Sequence, residues 1–223
     1  MPSTVLQILI DYHIGFLKGL AVTLQMAGLV WLCGLTLGAA LGWLSHTYCR
    51  AVGWPVRGIG FMLGAVPTLV FLFWLHYPAQ AMFNVVIDPF ITATFTFSLL
   101  NIFGVADIVR GALDDFPKQY VLAARVCGLG LKQTVFKIQL PILLRMTLPA
   151  LLLLQVSMLH ITLFSSLISV EELFRVAQRI NAQIYKPVEI YTALGVFFLI
   201  VCVPINGLAL WLKRRFTRDL SLR

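Results

Sequence analysis

Apolar runs long enough to cross a membrane alternate with polar segments along most of the chain. The runs cover residues 19–44, 58–75, 89–106, 146–170 and 190–212, and a mildly amphipathic lead-in precedes the first of them. A helix of about 20 apolar residues crosses a hydrocarbon core of about 30 Å. The pattern therefore predicts an all-α integral membrane protein with five transmembrane helices, in one domain that covers residues 1–223.

Proline and glycine positions refine these predicted helices. Pro67 lies in the middle of the second run, where its missing backbone donor predicts a kink. Residues 76–88, which contain no Lys or Arg, are predicted to be a loop. Gly34, Gly38 and Gly42 recur every four residues, a spacing that lets another helix approach closely. We favour packing within the chain over dimerisation for this stripe.

The composition agrees with a membrane protein. Only 12% of the residues are charged, about half the share of about 25% in soluble domains. The net charge of +8 would suggest a nucleic-acid partner in a soluble protein, but here the charge sorts by side of the membrane, so no nucleic-acid partner is predicted. The four cysteines have no CxxC or His-rich spacing, so neither a metal site nor a disulfide framework is predicted.

Lysine and arginine placement predicts the orientation, because cytoplasmic loops carry an excess of both residues. With the N-terminus outside and the C-terminus in the cytoplasm, the loop at 49–57, the region 110–145 and the C-terminal end face the cytoplasm. These segments hold 13 of the 17 basic residues: Arg50, Arg57, Arg110, Lys118, Arg125, Lys132, Lys137, Arg145, Lys213, Arg214, Arg215, Arg218 and Arg223.

One long polar and basic segment separates the third and fourth runs, at residues 114–145. Its composition favours helix, Gly128 and Gly130 interrupt it, and Pro117 and Pro141 are predicted to bound it. A membrane protein that keeps such a segment on one side usually binds a soluble partner with it. We therefore interpret residues 114–145 as a cytoplasmic docking segment.

This segment contains two alanines, a glycine four residues after the second, nine further residues and an Ile-x-Leu-Pro sequence. The pattern resembles the cytoplasmic coupling motif of ABC importer permeases, which begins with Glu-Ala-Ala and ends with Ile-x-Leu-Pro. The resemblance assigns ATPase coupling to Leu122, Ala123, Ala124, Gly128, Ile138, Leu140 and Pro141. Leu122 stands where the family has its glutamate.

Four other segments are similar to the polar amino acid uptake permeases among these importers. They are the Gly19, Thr23, Leu24 opening of the first helix, the Pro67, Leu69, Val70 segment of the second, ADIVRGALDDFPK, and SLISVEELFRVAQRI. The resemblance implies the type I ABC importer permease architecture and a multi-pass location in the bacterial cytoplasmic (inner) membrane. It also implies transport of a small polar solute, such as an amino acid, by alternating access.

The resemblance further implies the partners. They are two cytoplasmic ABC ATPase subunits, a second permease subunit, an extracytoplasmic solute-binding protein and the lipid bilayer. No phosphate-binding GxxxxGK[ST] loop occurs in the chain, so no cofactor is expected on it, and ATP and Mg are expected on the ATPase subunits. The fourth helix reads His160, Ile161, Thr162, Leu163 where the resembled permeases have Lys-Asp-Thr-Ser. This change and Leu122 leave a second hypothesis open, a non-transporting or regulatory subunit of a heteromeric complex.

Polar residues within the runs are candidates for the substrate path or its gate. They are Pro67, Asp107, Arg110, His160, Thr162, Ser165 and Ser166. Asp107 and Arg110 are spaced to face each other on one helix, so they form a structural pair, a gate or a substrate contact. The hydroxyls of the fourth helix line a path or bond to their own backbone. His160 contacts substrate, relays protons or donates a hydrogen bond to a neighbouring helix.

Charges also follow the fourth run on the outer side. Glu171, Glu172 and Arg175 form either a solvated face or the contact for the binding protein. An intramembrane protease that uses Ser157 or Ser165 with His160 is a third hypothesis, disfavoured because no GxSxG sequence surrounds either serine. No catalytic residue and no metal ligand is predicted.

Overall fold

The computed structural model describes residues 5–221, which are helical apart from short connections. Arg223, used in the charge argument, lies outside the described residues. The helices are α1 Val5–Asp11, α2 His13–Thr47, α3 Cys49–Ala65, α4 Thr68–Met82, α5 Pro89–Asp114, α6 Lys118–Val126, α7 Leu131–Ile168, α8 Leu173–Ile184 and α9 Pro187–Ser221.

Helices α2, α5, α7 and α9 are long and apolar enough to cross a membrane. Helices α3 and α4 meet the same test only as a pair, bent by 98° at a short break, so residues 5–221 contain four candidate spans, or five if the bent pair is one span. The prediction of an all-helical membrane protein is confirmed. Most of the spans begin earlier than predicted. Helix α2 starts at His13 instead of residue 19, α7 at Leu131 instead of residue 146, and α9 at Pro187 instead of residue 190.

The break between α3 and α4 follows from Pro67. Val66 is extended, with φ −88° and ψ 128°, because the proline ring disfavours the helical conformation in the residue before it. Pro67 then begins the next helix, and the Phe71 amide donates to the Pro67 carbonyl over 3.0 Å. The predicted kink is confirmed as a full interruption. The predicted loop at 76–88 is wrong in its first half, because α4 continues to Met82 through a wider π-turn that accommodates Pro78.

The glycine stripe of α2 packs against α5. A Cβ atom on Gly38 would lie 2.7 Å from the Ile102 carbonyl oxygen, and one on Gly42 would lie 2.7 Å from that of Ala106. Only glycine allows the two backbones to come this close, so packing within the chain is confirmed for this stripe.

A buried polar pair joins α5 to α7. The Asn101 amide donates to the Val30 carbonyl of α2 and to the Gln155 side chain, both over 2.9 Å, and Gln155 donates back to Asn101 over 3.2 Å. Each of these polar groups would be costly in an apolar interior without its partner. The pair therefore fixes the three helices in one register.

Pro141 does not bound the docking segment, and that prediction is wrong. Helix α7 continues through Pro141 and Pro149 as far as Ile168. A π-turn at Val135–Gln139 precedes the proline, and there the Leu140 amide donates to the Val135 carbonyl. In this wider turn the backbone hydrogen bonds already differ from the regular α-helical pattern, which the ring of Pro141 would otherwise interrupt.

Helix α8 lies across the end of the bundle opposite the docking segment. Its Leu173, Val176, Ala177 and Ile180 are buried in a cluster with residues of α1 and α9. Gly19 of α2 is in close contact with Val176 and Leu173. The amphipathic helix thus covers the outer ends of α2 and α9.

Candidate functional site

The docking segment is built around the end of α6. The Leu129 amide donates to the Ala124 carbonyl and the Gly128 amide donates to the Arg125 carbonyl, each over 3.0 Å. Gly128 has φ +70°, the left-handed conformation that glycine adopts without steric cost. These two bonds and this conformation form a Schellman cap, which ends the helix and turns the chain towards α7.

The segment presents apolar side chains that nothing in the described chain covers. Leu122 is 59% exposed, Val126 88%, Leu131 83% and Phe136 67%. We call these four residues the coupling surface. The exposed basic residues Lys118, Arg125 and Lys132 lie in the same segment. An apolar patch with a charged rim is typical of a protein-binding surface.

The predicted coupling residues divide between the two sides of this segment. Ala124 is buried where α6 packs on the π-turn at Val135–Gln139. Ala123, like Leu122, faces outward. Ile138 is partly buried, whereas Leu140 and Pro141 are exposed on α7. Their role in ATPase coupling remains a prediction.

A cavity of about 560 Å³ lies between α3 and α5. Arg57, Gly60 and Gly64 line it from α3, and Asp107 and Arg110 line it from α5. Two glycines on one wall leave room that larger side chains would fill. The cavity therefore combines an apolar interior with both signs of charge at one end.

The charges at this end form a chain of contacts. Arg110 donates to Asp107 over 2.6 Å and to Asp114 over 2.8 Å. The Asp114 carboxylate also lies 2.8 Å from a ring nitrogen of His46 in α2. The Arg110 side chain is 16% exposed and that of Asp107 is 73% exposed. The predicted facing of Asp107 and Arg110 is confirmed, and their participation in a path or gate remains a prediction.

The candidates on the fourth predicted helix lie in two different environments. Thr162, Ser165 and Ser166 are buried, and each hydroxyl donates over 2.7 Å to a carbonyl three residues earlier. His160 is exposed, and its ring and that of Phe198 of α9 lie in an edge-to-face arrangement with centroids 6.2 Å apart. Among residues 5–216, whose side chains the structure describes, His160 has no hydrogen-bond partner.

The protease hypothesis finds no support in these contacts. Ser157 donates to the Leu153 carbonyl over 3.2 Å and Ser165 to the Thr162 carbonyl. Neither serine donates to His160, so the structure shows no base next to either hydroxyl.

The prediction of an exposed outer face is wrong for Glu172. Its side chain is 0% exposed and caps α8, accepting from the amides of Phe174 over 2.9 Å and Arg175 over 2.7 Å. Burial raises the pKa of its carboxyl to about 7, although these amides and the nearby Thr23 hydroxyl lower it. Glu171, by contrast, is exposed and accepts from Arg179 over 2.7 Å.

Three further residues of these sites were not predicted. His46 and Asp114 lie far apart in the sequence and meet only because α2 packs on α5. Thr23 of α2 accepts from the Leu173 amide over 3.1 Å, which ties α8 to the first span. A hydroxyl four residues after Gly19 was visible in the sequence, but nothing there indicated its distant partner.

Known proteins match nearly the whole length of the chain. The model of the family described as binding-protein-dependent transport system inner membrane component matches residues 14–218. The L-cystine transport system permease protein TcyB of Bacillus subtilis is 28% identical over 201 residues, which cover 90% of this chain and 86% of the relative. The glutamine transport system permease protein GlnP of Escherichia coli is 28% identical over 204 residues, covering 89% and 91%.

Solved structures agree on the fold. The crystal structure of an amino acid ABC transporter with histidines matches with a TM-score of 0.82 and 21% identity, covering 96% of this chain and 100% of that chain. An inward-facing structure of the MetNI methionine ABC transporter matches with a TM-score of 0.73 and 18% identity, covering 92% and 98%.

Proposed function

The chain belongs to the family of binding-protein-dependent transport system inner membrane components, and from this premise we propose that it is the permease subunit of an ABC importer for amino acids or related compounds. The family places it in the inner membrane as a multi-pass transport component rather than an enzyme. The coupling surface is the observation that carries the proposal, because a permease needs an uncovered docking site for a separate ATPase.

The amino acid assignment draws on the relatives and on the cavity. The relatives' names specify L-cystine and glutamine as transported compounds. The cavity between α3 and α5 presents Arg57 to a carboxylate, and it presents Asp107, which also accepts from Arg110, to an ammonium group. Both groups occur on every free amino acid, so this pair of charges suits a zwitterion.

The proposed mechanism couples ATP hydrolysis on partner subunits to alternating access. Two cytoplasmic ATPase subunits with ATP and Mg bind the coupling surface of this chain and of a second permease subunit. With the bent pair counted as one span, five spans put the two termini on opposite sides of the membrane, and the distribution of Lys and Arg favours the N-terminus outside and the C-terminus in the cytoplasm. A solute-binding protein then delivers substrate at the end where Glu171 and Arg175 lie.

A non-transporting or regulatory role is the second candidate. The three buried hydroxyls at Thr162, Ser165 and Ser166 are bonded to their own backbone, which favours a subunit whose fourth helix does not contact substrate. Leu122, in place of a glutamate, gives the ATPase an apolar contact instead of a charged one.

Reconstitution of the complex in proteoliposomes tests the proposal. The tagged chain is purified from its native membranes in mild detergent, and its copurifying subunits are identified by mass spectrometry. We expect an ATPase subunit to copurify, and we expect ATP-dependent uptake of labelled cystine, glutamine or histidine. Absence of any ATPase subunit would contradict the proposal.

Asp107→Asn separates the two candidate roles. It should abolish uptake while ATPase binding is retained, whereas Asp115→Asn, an equal charge change at the exposed end of α5, should leave uptake unchanged. If uptake survives Asp107→Asn while a partner permease is essential for it, the regulatory role is supported.

A further inference from the structure

A second groove lies between α7 and α9, away from the cavity between α3 and α5. It has a volume of about 280 Å³ and is open on one side. Arg145 and Lys213 line it, and Met146, Ala150 and Leu153 of α7 form its apolar wall with Phe216 of α9. Neither the coupling surface nor the proposed substrate cavity includes any of these residues.

The groove has a cationic mouth and an apolar interior. Met146, Ala150 and Leu153 are spaced four and three residues apart, so they lie along one face of the helix. Leu153 is eight residues beyond Arg145, which at 1.5 Å per residue is about 12 Å deeper along α7. The apolar wall therefore extends from the charged mouth towards the interior of the spanning region.

Arg145 has no counter-ion in the part of the chain whose side chains are described. The ion pairs found there involve Arg110, Arg179 and His46, and Arg145 makes no other polar contact within that part. Pro149 lacks an amide hydrogen, so the Arg145 carbonyl also lacks its usual helical donor. A cation beside an apolar wall is costly unless an anion accompanies it.

Nearby residues place the mouth at the level of a membrane interface. The Arg215 guanidinium lies 5.1 Å from the centroid of the Trp211 ring, and Trp211 is half exposed. Tryptophan concentrates at the boundary between hydrocarbon and headgroups. The groove thus opens where phospholipid headgroups lie, on the side that carries the basic C-terminal residues.

We propose that this groove binds one anionic phospholipid, with the phosphate at Arg145, where Lys213 also lines the mouth, and an acyl chain along Met146, Ala150 and Leu153. Charge complementarity selects the headgroup, because Arg145, which has no counter-ion among the described side chains, favours a lipid with a net negative charge over a zwitterionic one. The apolar wall selects a lipid over a free anion, because a soluble phosphate would leave that wall exposed.

Native mass spectrometry of the full-length chain, isolated as the complex it forms and then delipidated, tests this proposal. The probes are dioleoyl-phosphatidylglycerol, dioleoyl-phosphatidylcholine and glycerol phosphate. We expect phosphatidylglycerol to be retained about tenfold better than phosphatidylcholine, and glycerol phosphate not to displace it. The double variant Arg145→Gln with Lys213→Gln should reduce retention of phosphatidylglycerol to the level of phosphatidylcholine.

Two controls distinguish the groove from the general basic surface. Arg50→Gln with Arg214→Gln removes the same charge from exposed positions that do not line the groove, and it should leave retention unchanged. Ala150→Trp fills the groove and should reduce retention without changing charge, whereas Leu148→Trp, outside the groove, should not. Undiminished retention in the Arg145/Lys213 variant, equal loss in the Arg50/Arg214 variant, or displacement by glycerol phosphate would each overturn the proposal.

Discussion

The Schellman cap at Gly128 gives a test of docking that distinguishes two glycines only two residues apart. Gly128 has φ +70°, and no other atom lies within 4 Å of the position of an added Cβ, so only the backbone conformation resists a side chain there. Gly130 has φ −66° and ψ 160° and caps the start of α7. Serine is favoured at such a helix start and disfavoured in the left-handed conformation.

Replacement by serine should therefore have opposite effects at the two positions. In Gly128→Ser, the left-handed backbone costs about 1–2 kcal/mol, which lowers the population of the capped conformation relative to its alternatives by a factor of about 5–30. If docking requires the capped conformation, the ATPase dissociation constant rises by up to this factor. In Gly130→Ser, the dissociation constant should stay within about twofold, because serine is a good N-cap.

The assay is titration of purified ATPase subunit onto the permease in nanodiscs, with uptake measured in parallel. Gly128→Asn provides a rescue variant, because asparagine tolerates the left-handed conformation better than serine. It should bind the ATPase more tightly than Gly128→Ser. Unchanged binding in Gly128→Ser, or equal weakening in Gly130→Ser, would refute the assignment of the cap to docking.

Three further predictions concern packing and ionisation. Gly38→Ala should destabilise the protein by about 1–3 kcal/mol in thermal unfolding, because its Cβ would meet an α5 carbonyl, while Gly28→Ala, in open space, should not. Asn101→Leu should cost about 1–3 kcal/mol by leaving buried Gln155 unpaired, and adding Gln155→Leu should recover part of that loss. The raised pKa of Glu172, about 7 against 4.5, means that the folded state binds more protons between these values, so the melting temperature should rise as the pH falls from 7.5 to 5.5. Glu172→Gln should remove this rise, and an unchanged pH dependence would contradict the assignment.

The sequence was sufficient for the features that depend on local patterns. The apolar runs predicted the spanning helices, Pro67 predicted the break between α3 and α4, and the spacing of Asp107 and Arg110 predicted their ion pair. Each of these follows from helix periodicity or from the chemistry of one residue. The glycine stripe predicted close packing in the same way, although only the structure identified α5 as the helix that packs against it.

Features that depend on distant partners could not be predicted. Glu172 belongs to a run of charged residues that is typical of a solvated face, but in the structure it is buried beside Thr23 of the first span, whose hydroxyl donates to its carboxylate over 3.5 Å. The pairing of His46 with Asp114 likewise joins residues on two helices. Pro141 predicted a boundary because no sequence pattern indicated the π-turn at Val135–Gln139 that precedes it.

The continuity of α7 changes how movement at the coupling surface reaches the rest of the protein. The helix has 38 residues, and at 1.5 Å per residue it is about 57 Å long. It joins Leu131 and Phe136, at the coupling surface, to the turn at Thr162–Ile168. Had Pro141 ended a separate helix, a displacement of the docking segment could have been absorbed in a loop. In an unbroken helix the displacement must tilt the helix or bend it at the π-turn or at Pro149. Asn101 bonds to Gln155 beyond both of these points, so a tilt of α7 also moves α5, which forms one wall of the charged cavity.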